Sequence, residues 1–210
     1  IKNNSHVIDL GSSEGKYLSK LKEKGCFIKT VNIKNNKDFL RFDEHENIDL
    51  NKNLPKDLNK YEYILILDVI EHLYNPENFI ERLSKEITDK QTVIVSTGNI
   101  AFIFVRIMLL LGFFNYGKRG ILDITHTRLF SFASFKRLFL NYNFTIIKSV
   151  GIPVPIPFIF GENFFSKILL HFNKLLIKIL PGLFSYQMLL TLKPSLTLNK
   201  MLIKRVKNSK

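Results

Sequence analysis

The chain has 210 residues, 46 % of them hydrophobic, which is ample for the core of one α/β domain and excludes a largely disordered protein. Its 31 Lys and Arg against 18 Asp and Glu leave a net charge of +13, a balance that points toward an anionic partner such as nucleic acid, anionic lipid or a phosphorylated substrate. The single Cys26 excludes an intramolecular disulfide, and no stretch has the charged, apolar and small-residue order of a secretory signal, so a cytoplasmic protein is expected.

Ile1 rather than Met opens the chain and strand-like sequence begins by His6, so a natural segment ahead of it is expected. His6 to Leu10 is apolar and closed by a glycine turn, Lys16 to Lys24 reads as a helix ending at Gly25, and Phe27 to Ile33 returns to strand, which makes a β-α-β unit. Tyr61 to Leu67 is a near-continuous apolar run suited to a central parallel strand, Pro76 to Ile87 a helix, and Thr92 to Thr97 another buried strand. This alternation predicts a parallel sheet.

The pattern changes after Thr97. Ile100 to Leu111 reads as an apolar helix closed by Gly112, Asn115 to Arg128 as a polar loop, Ser131 to Asn141 as a helix capped by Ser131, and Asn143 to Val150 as a strand. Pro153, Pro155 and Pro157 predict an extended exit, Phe164 to Leu180 an amphipathic helix stopped by Pro181 and Gly182, and Ser185 to Leu192 a final strand. Neither long apolar run suits a membrane span: Ile100 to Phe114 is short and contains Arg106, and Phe164 to Leu180 is interrupted by Lys167, Lys174 and Lys178.

The first chemical signal is "VIDLGSSEG", Val7 to Gly15, in which a hydrophobic strand delivers Asp9 and a tight loop of Gly11, Ser12, Ser13 and Gly15 opens a helix. Glycines let backbone approach a ligand, and exposed amides at a helix start suit an anion; a plain strand-to-helix turn is the alternative. The spacing is not G-x-G-x-x-G, which argues against a nicotinamide dinucleotide.

This loop, followed by "ENIDLNKNLP" (Glu46 to Pro55) and "YILILDVIEHLYNPENFIERL" (Tyr63 to Leu83), resembles the class I S-adenosylmethionine-dependent methyltransferases in order and spacing. The segments Gly98 to Ser131 and Pro181 to Pro194 are similar to methyltransferases found with bacterial surface-glycan and O-antigen biosynthesis enzymes, which carry the "EHL" motif seen here at Glu71 to Leu73. The resemblance implies a doubly wound, Rossmann-like α/β fold: a seven-stranded sheet with an antiparallel last strand and helical cap segments. It divides the chain into a cofactor-binding core at 1–97, a helical substrate-facing segment at 98–142, the completion of the sheet with an inserted helix at 143–194, and a basic tail at 195–210.

By that resemblance the cofactor is S-adenosylmethionine. Asp9, Gly11, Ser12, Ser13 and Gly15 would cradle its methionine end, Asp49 and Leu50 would meet the adenine, and Asp68 would lie at the carboxyl edge of the sheet beside it. Asn32 falls where the family places Asp or Glu to accept both ribose hydroxyls; an amide accepts through its carbonyl but supplies no charge.

Methyl transfer to a hydroxyl requires alignment and a base. His72, just past a strand end, is the first choice because imidazole exchanges protons near neutral pH, and Glu71 is expected to fix the loop rather than react. In "LDITHTR", Asp123 and His126 would orient or deprotonate the hydroxyl and Arg128 would hold an anionic group such as a diphosphate, a structural ion pair being the alternative. The histidines show no paired metal-ligand spacing, so no metal is expected.

On Phe164 to Leu180, Lys167, His171, Lys174 and Lys178 share one face and Phe165, Ile168, Phe172, Leu175 and Ile179 another, consistent with a lid, a homodimer helix or peripheral contact with an anionic membrane at its inner face. The acceptor expected is a small or lipid-linked sugar; nucleic acid is disfavoured for want of a basic and aromatic platform. The competing expectation is a catalytically weak scaffold module of a membrane-associated glycan-synthesis complex.

Overall fold

The computed structural model of the protein describes residues 1–12, 16–33 and 42–195; the expectations for Ser13, Gly15 and the tail beyond Ser195 lie outside the described residues. The strands β1 (His6–Leu10), β2 (Phe27–Asn32), β3 (Glu44–Asn47), β4 (Tyr63–Leu67), β5 (Thr92–Gly98), β6 (Phe144–Ile152) and β7 (Gln187–Pro194) form one seven-stranded sheet. Their order is β3-β2-β1-β4-β5-β7-β6, with β7 antiparallel to β5 and β6 and the remaining neighbours parallel. This is the doubly wound Rossmann-like arrangement with an antiparallel last strand. The chain winds outward in both directions from the β1–β4 junction, the switch point beside which open α/β sheets bind ligands.

β4 is a continuous apolar run, and β1 is buried from Val7 to Leu10, because both their faces are covered. On one face, Ile8, Ile64, Ile66 and Val95 pack with Phe79, Ile80 and Leu83 of α2 (Pro76–Glu86) and Phe135 and Phe139 of α4 (Phe132–Asn141). On the other, Val7, Ile28 and Leu65 meet Leu18 of α1 (Lys16–Lys22). Ser131 caps α4 in a reciprocal capping box with Ser134, and Asn75 caps α2, whose first residue is Pro76.

β3 reads "EHEN" and has no apolar alternation; it survives as an edge strand, with Lys29 of β2 reaching Glu46 at 2.7 Å. Helix α3 spans Ile103–Leu110, three residues later than expected, because Ile100 first pairs its amide with the Phe130 carbonyl. The proline run ends in a short helix, α5 (Ile156–Phe160), rather than remaining extended: Pro157 lies in its first turn, where no amide is needed. After α6 (Phe164–Ile179), Pro181 opens one more turn, α7 (Pro181–Phe184), for the same reason.

Because β7 is antiparallel, its first residues lie at the edge where the parallel strands end, and Gln187 pairs with Gly98. Buried Asn99 secures this corner: its amide nitrogen donates to the carbonyls of Gly182 (3.0 Å) and Ser185 (2.9 Å).

Candidate active site

At the tip of β1 the chain turns through Gly11, whose φ of +81° is left-handed and where a Cβ would come within 2.5 Å of Val69 Cγ2. Only glycine fits this turn. The Gly11 and Ser12 amides donate to the Val31 carbonyl at 2.8 and 3.0 Å and tie the loop to β2. Asp9 is fully buried; its Oδ2 accepts from the Tyr17 hydroxyl at 2.7 Å, and burial pushes its carboxyl up to about 6 against the opposing pull of the Ser12 and Tyr17 hydroxyls. Asp9 Oδ1 and Ser12 Oγ, both buried, complete no hydrogen bond of good geometry among the described residues.

Asn32 ends β2 against this loop. Its Nδ2 donates to the Ser12 carbonyl and its Oδ1 accepts from the Ile33 amide at 2.6 Å, so the side chain braces the loop. Asp49 follows β3 in a turn where its Oδ1 accepts from the Asn51 amide at 3.0 Å. Leu50 points into the core and is 6 % exposed, which leaves little of its side chain to meet a ring.

Asp68, at the tip of β4, has φ +54°, an uncommon backbone state for a residue with a side chain and costly by roughly 1–3 kcal/mol. It is held there by neighbours: Oδ1 accepts from Ser96 Oγ (2.9 Å) and Oδ2 from Gln187 Nε2 (2.9 Å). Strain maintained at a strand tip beside the switch point is the pattern of a ligand site.

Asp68 forms one wall of a cavity of about 580 Å³ that is also lined by Glu71, His72, Arg119, Asp123, His126 and Tyr186. The 3-10 turn Ile70–His72 delivers Glu71 and His72; the loop before α4 delivers Asp123 and His126. The two imidazoles meet edge to face, with centroids 4.8 Å apart. His126 Nδ1 lies 2.9 Å from the Ile121 carbonyl, and His72 Nδ1 lies 3.2 Å from the Thr125 carbonyl and 3.3 Å from Thr125 Oγ1. A carbonyl only accepts, so each Nδ1 carries the proton in the neutral ring and each Nε2 presents a lone pair.

Asp123 accepts from Thr125 Oγ1 (2.6 Å) and the Thr125 amide (2.8 Å), and these bonds hold its carboxyl below the usual range. It therefore sets the turn that supports His72 and is a poor proton acceptor at neutral pH. Glu71 is the opposite case: 2 % exposed, with Oε2 unpartnered among the described residues, its carboxyl is pushed up to about 7 by burial, with a further upward push from the Asp68 charge. Its backbone carbonyl does fix the loop as expected, accepting from the Thr127 and Arg128 amides at 2.8 and 3.1 Å.

The expectation that Arg128 faces the acceptor is corrected. Its Nη1 pairs with Glu77 Oε2 on α2 at 2.7 Å, and the residue lines a separate recess of about 260 Å³. The cation lining the cavity beside Asp68 is Arg119, in the glycine-flanked "GKRG" of residues 117–120, a signal open to sequence reading but missed. Tyr17, Tyr186 and Gln187 were also missed, the last recognisable as a polar residue at the head of an apolar strand. No cluster of His, Cys, Asp and Glu among the described residues could hold a metal ion.

A family model described as a methyltransferase domain matches residues 1–149. Among solved structures, a SAM-dependent methyltransferase from Archaeoglobus fulgidus is similar with TM-score 0.57 at 19 % identity, covering 91 % of this chain and 87 % of its own. The 1,6-didemethyltoxoflavin-N1-methyltransferase of Burkholderia thailandensis, solved with 1,6-didemethyltoxoflavin and S-adenosylhomocysteine, gives TM-score 0.59 at 11 % identity over 92 % of this chain and 72 % of its own. An S-adenosylmethionine-dependent methyltransferase from Mesorhizobium loti gives 0.55 at 11 % identity, covering 91 % of each chain. At these identities the likeness speaks for the fold. No curated protein matches the chain in sequence.

Proposed function

Because the chain belongs to the class I S-adenosylmethionine-dependent methyltransferases, whose family model spans well over half of it, we propose that it methylates a hydroxyl of a small, sugar-like acceptor seated in the cavity beside His72 and His126. The residues present fit the family's cofactor. A buried carboxylate whose Oδ1 completes no hydrogen bond of good geometry among the described residues (Asp9), a buried hydroxyl (Ser12 Oγ) and a turn that only glycine fits stand at one strand tip, and the strained Asp68 stands at the next. On this reading Asp9, Gly11 and Ser12 shape the methionine end of the site, Asn32 and Asp49 the nucleoside end, and Asp68 the boundary with the acceptor. When bound, S-adenosylmethionine supplies a methyl group on a positively charged sulfur, open to attack by an oxygen lone pair.

The observation that carries the acceptor reading is the pair of imidazoles on one cavity wall, each anchored through Nδ1 to a backbone carbonyl. His126, held by the shorter bond, takes the hydroxyl proton on Nε2. His72 packs its ring against that imidazole and fixes its tilt. Glu71 lines the same cavity and, once its own carboxyl is ionised, adds negative charge beside His72. Arg119 is the cation available for a phosphate or carboxylate on the acceptor.

The test is methyl transfer from labelled S-adenosylmethionine to a panel of free, nucleotide-linked and lipid-linked sugars, with products read by mass spectrometry. An O-methylated sugar supports the proposal. Methylation confined to nitrogen or carbon acceptors, or no product despite cofactor binding, overturns it, and the latter favours the scaffold reading.

A further inference from the structure

Helix α6 wears its apolar residues on the outside. The side packed on the protein carries Ser166, Asn173 and Ile177: Asn173 accepts from the Val154 amide at 3.1 Å and donates to the Phe184 carbonyl at 3.1 Å, and Ile177 seats against Gly151. Turned away from that side, Phe165, Ile168, Phe172, Leu175 and Ile179 form one stripe, each between 48 and 70 % exposed. A helix of a soluble surface does the reverse, burying its apolar stripe and turning polar residues to water. The helix α5 packed beside α6 adds Phe158, 88 % exposed, and α3, joined to this region through Val154, which packs near Val105 and bonds Asn173, carries with the turn after it the exposed Phe104, Leu110, Phe113 and Phe114. Apolar surface on this scale marks an interaction site.

Charge selects the partner. Between residues 99 and 180 there are ten Lys and Arg against only Asp123 and Glu162. On α6 itself, Lys167, Lys174 and Lys178 make a second stripe beside the apolar one, with no acidic residue on the helix and no ion pair to these lysines among the described residues. A second copy of the chain would bring like charges face to face, whereas an anionic bilayer offers both an apolar layer and phosphates at the right depth. No helix of the described residues is long and apolar enough to cross a membrane.

We propose that α6, together with α5 and α3, is an interfacial surface that lies flat on an anionic membrane, its phenylalanines and leucines among the headgroups and its lysines on the lipid phosphates. The turn after α3 bears both Phe113 and Phe114 and the cavity residues Arg119 and Asp123. Docking therefore brings the acceptor cavity to the bilayer, where a lipid-anchored hydroxyl is within reach; this last clause rests on the function proposed above, and the docking does not.

The test is flotation of the full chain with vesicles of phosphatidylcholine alone and of equal parts phosphatidylcholine and phosphatidylglycerol, with S-adenosylhomocysteine titration as an independent readout of fold and site. The chain should float with the anionic vesicles at least about tenfold more than with the neutral ones. Changing Lys167, Lys174 and Lys178 together to Gln should lower binding on the order of 100-fold, each cation near the surface contributing roughly fivefold. Phe165→Ser with Phe172→Ser should also release the chain, with titration unchanged in both variants. Absence of flotation with anionic vesicles, indifference to both variants, or a dimer in sedimentation that the phenylalanine variant dissociates would each overturn the proposal. Flotation without S-adenosylhomocysteine binding would support docking and count against the enzymatic reading alone.

Discussion

The side chain of Asn32 donates from Nδ2 to the backbone carbonyl of Ser12, a bond that no carboxylate can make. The position at which the resemblance leads one to expect an acid holds the glycine loop here. Asn32→Asp should set a carboxylate against that carbonyl, lower stability by about 1–2 kcal/mol and weaken S-adenosylhomocysteine binding. Urea unfolding and calorimetry check both; tighter binding at unchanged stability would show that the brace is dispensable.

His126→Ala removes the proposed base while leaving the strand tips intact. Turnover should fall by roughly 100-fold to 10,000-fold, with cofactor affinity within about twofold of the parent. His72→Ala should have the smaller effect of the two, since it supports the ring that reacts. Single-turnover rates at saturating acceptor make the comparison, and equal losses would return His72 to the role of base.

Arg119→Ala should raise the acceptor KM about tenfold with little change in kcat, as expected for a cation that contacts the acceptor but not the reacting atoms. Arg128→Ala, which breaks only the half-exposed pair with Glu77, should leave KM unchanged and stability within about 1 kcal/mol. Reversed effects would restore Arg128 to the acceptor site.

Glu71 makes stability depend on pH. Its carboxyl, ordinarily near 4.5, is raised to about 7 when folded, so between those values the folded protein keeps a proton that the unfolded chain has released. The stabilisation is complete below about 4.5 and is lost as pH rises through about 7, on the order of 3 kcal/mol in all, and buried Asp9 acts in the same direction at lower pH. Glu71→Gln should flatten that share of the fall, a difference that urea titrations at the two ends of the window will read directly.

What the sequence revealed follows from range. The apolar runs of β1 and β4, the Ser131 cap and the glycine after β1 are local signals, and each marks its element within a residue or two. β3 was hidden because a polar edge strand has no periodicity, and it was expected only through the family's strand count. The Arg128–Glu77 pair spans 51 positions, and nothing near Arg128 announces it. The burial of Glu71 is equally long-range: in "DVIEHL" it looks like any acid on a turn, and only tertiary packing removes it from water.

The most direct test of the whole account is calorimetric titration of the chain with S-adenosylhomocysteine, beside Gly11→Ala, in which a Cβ would press on Val69 from a left-handed backbone. The account predicts one site per chain with saturable binding, lost or weakened by more than about tenfold in the variant. No heat of binding at millimolar ligand, or equal affinity in parent and variant, would contradict it.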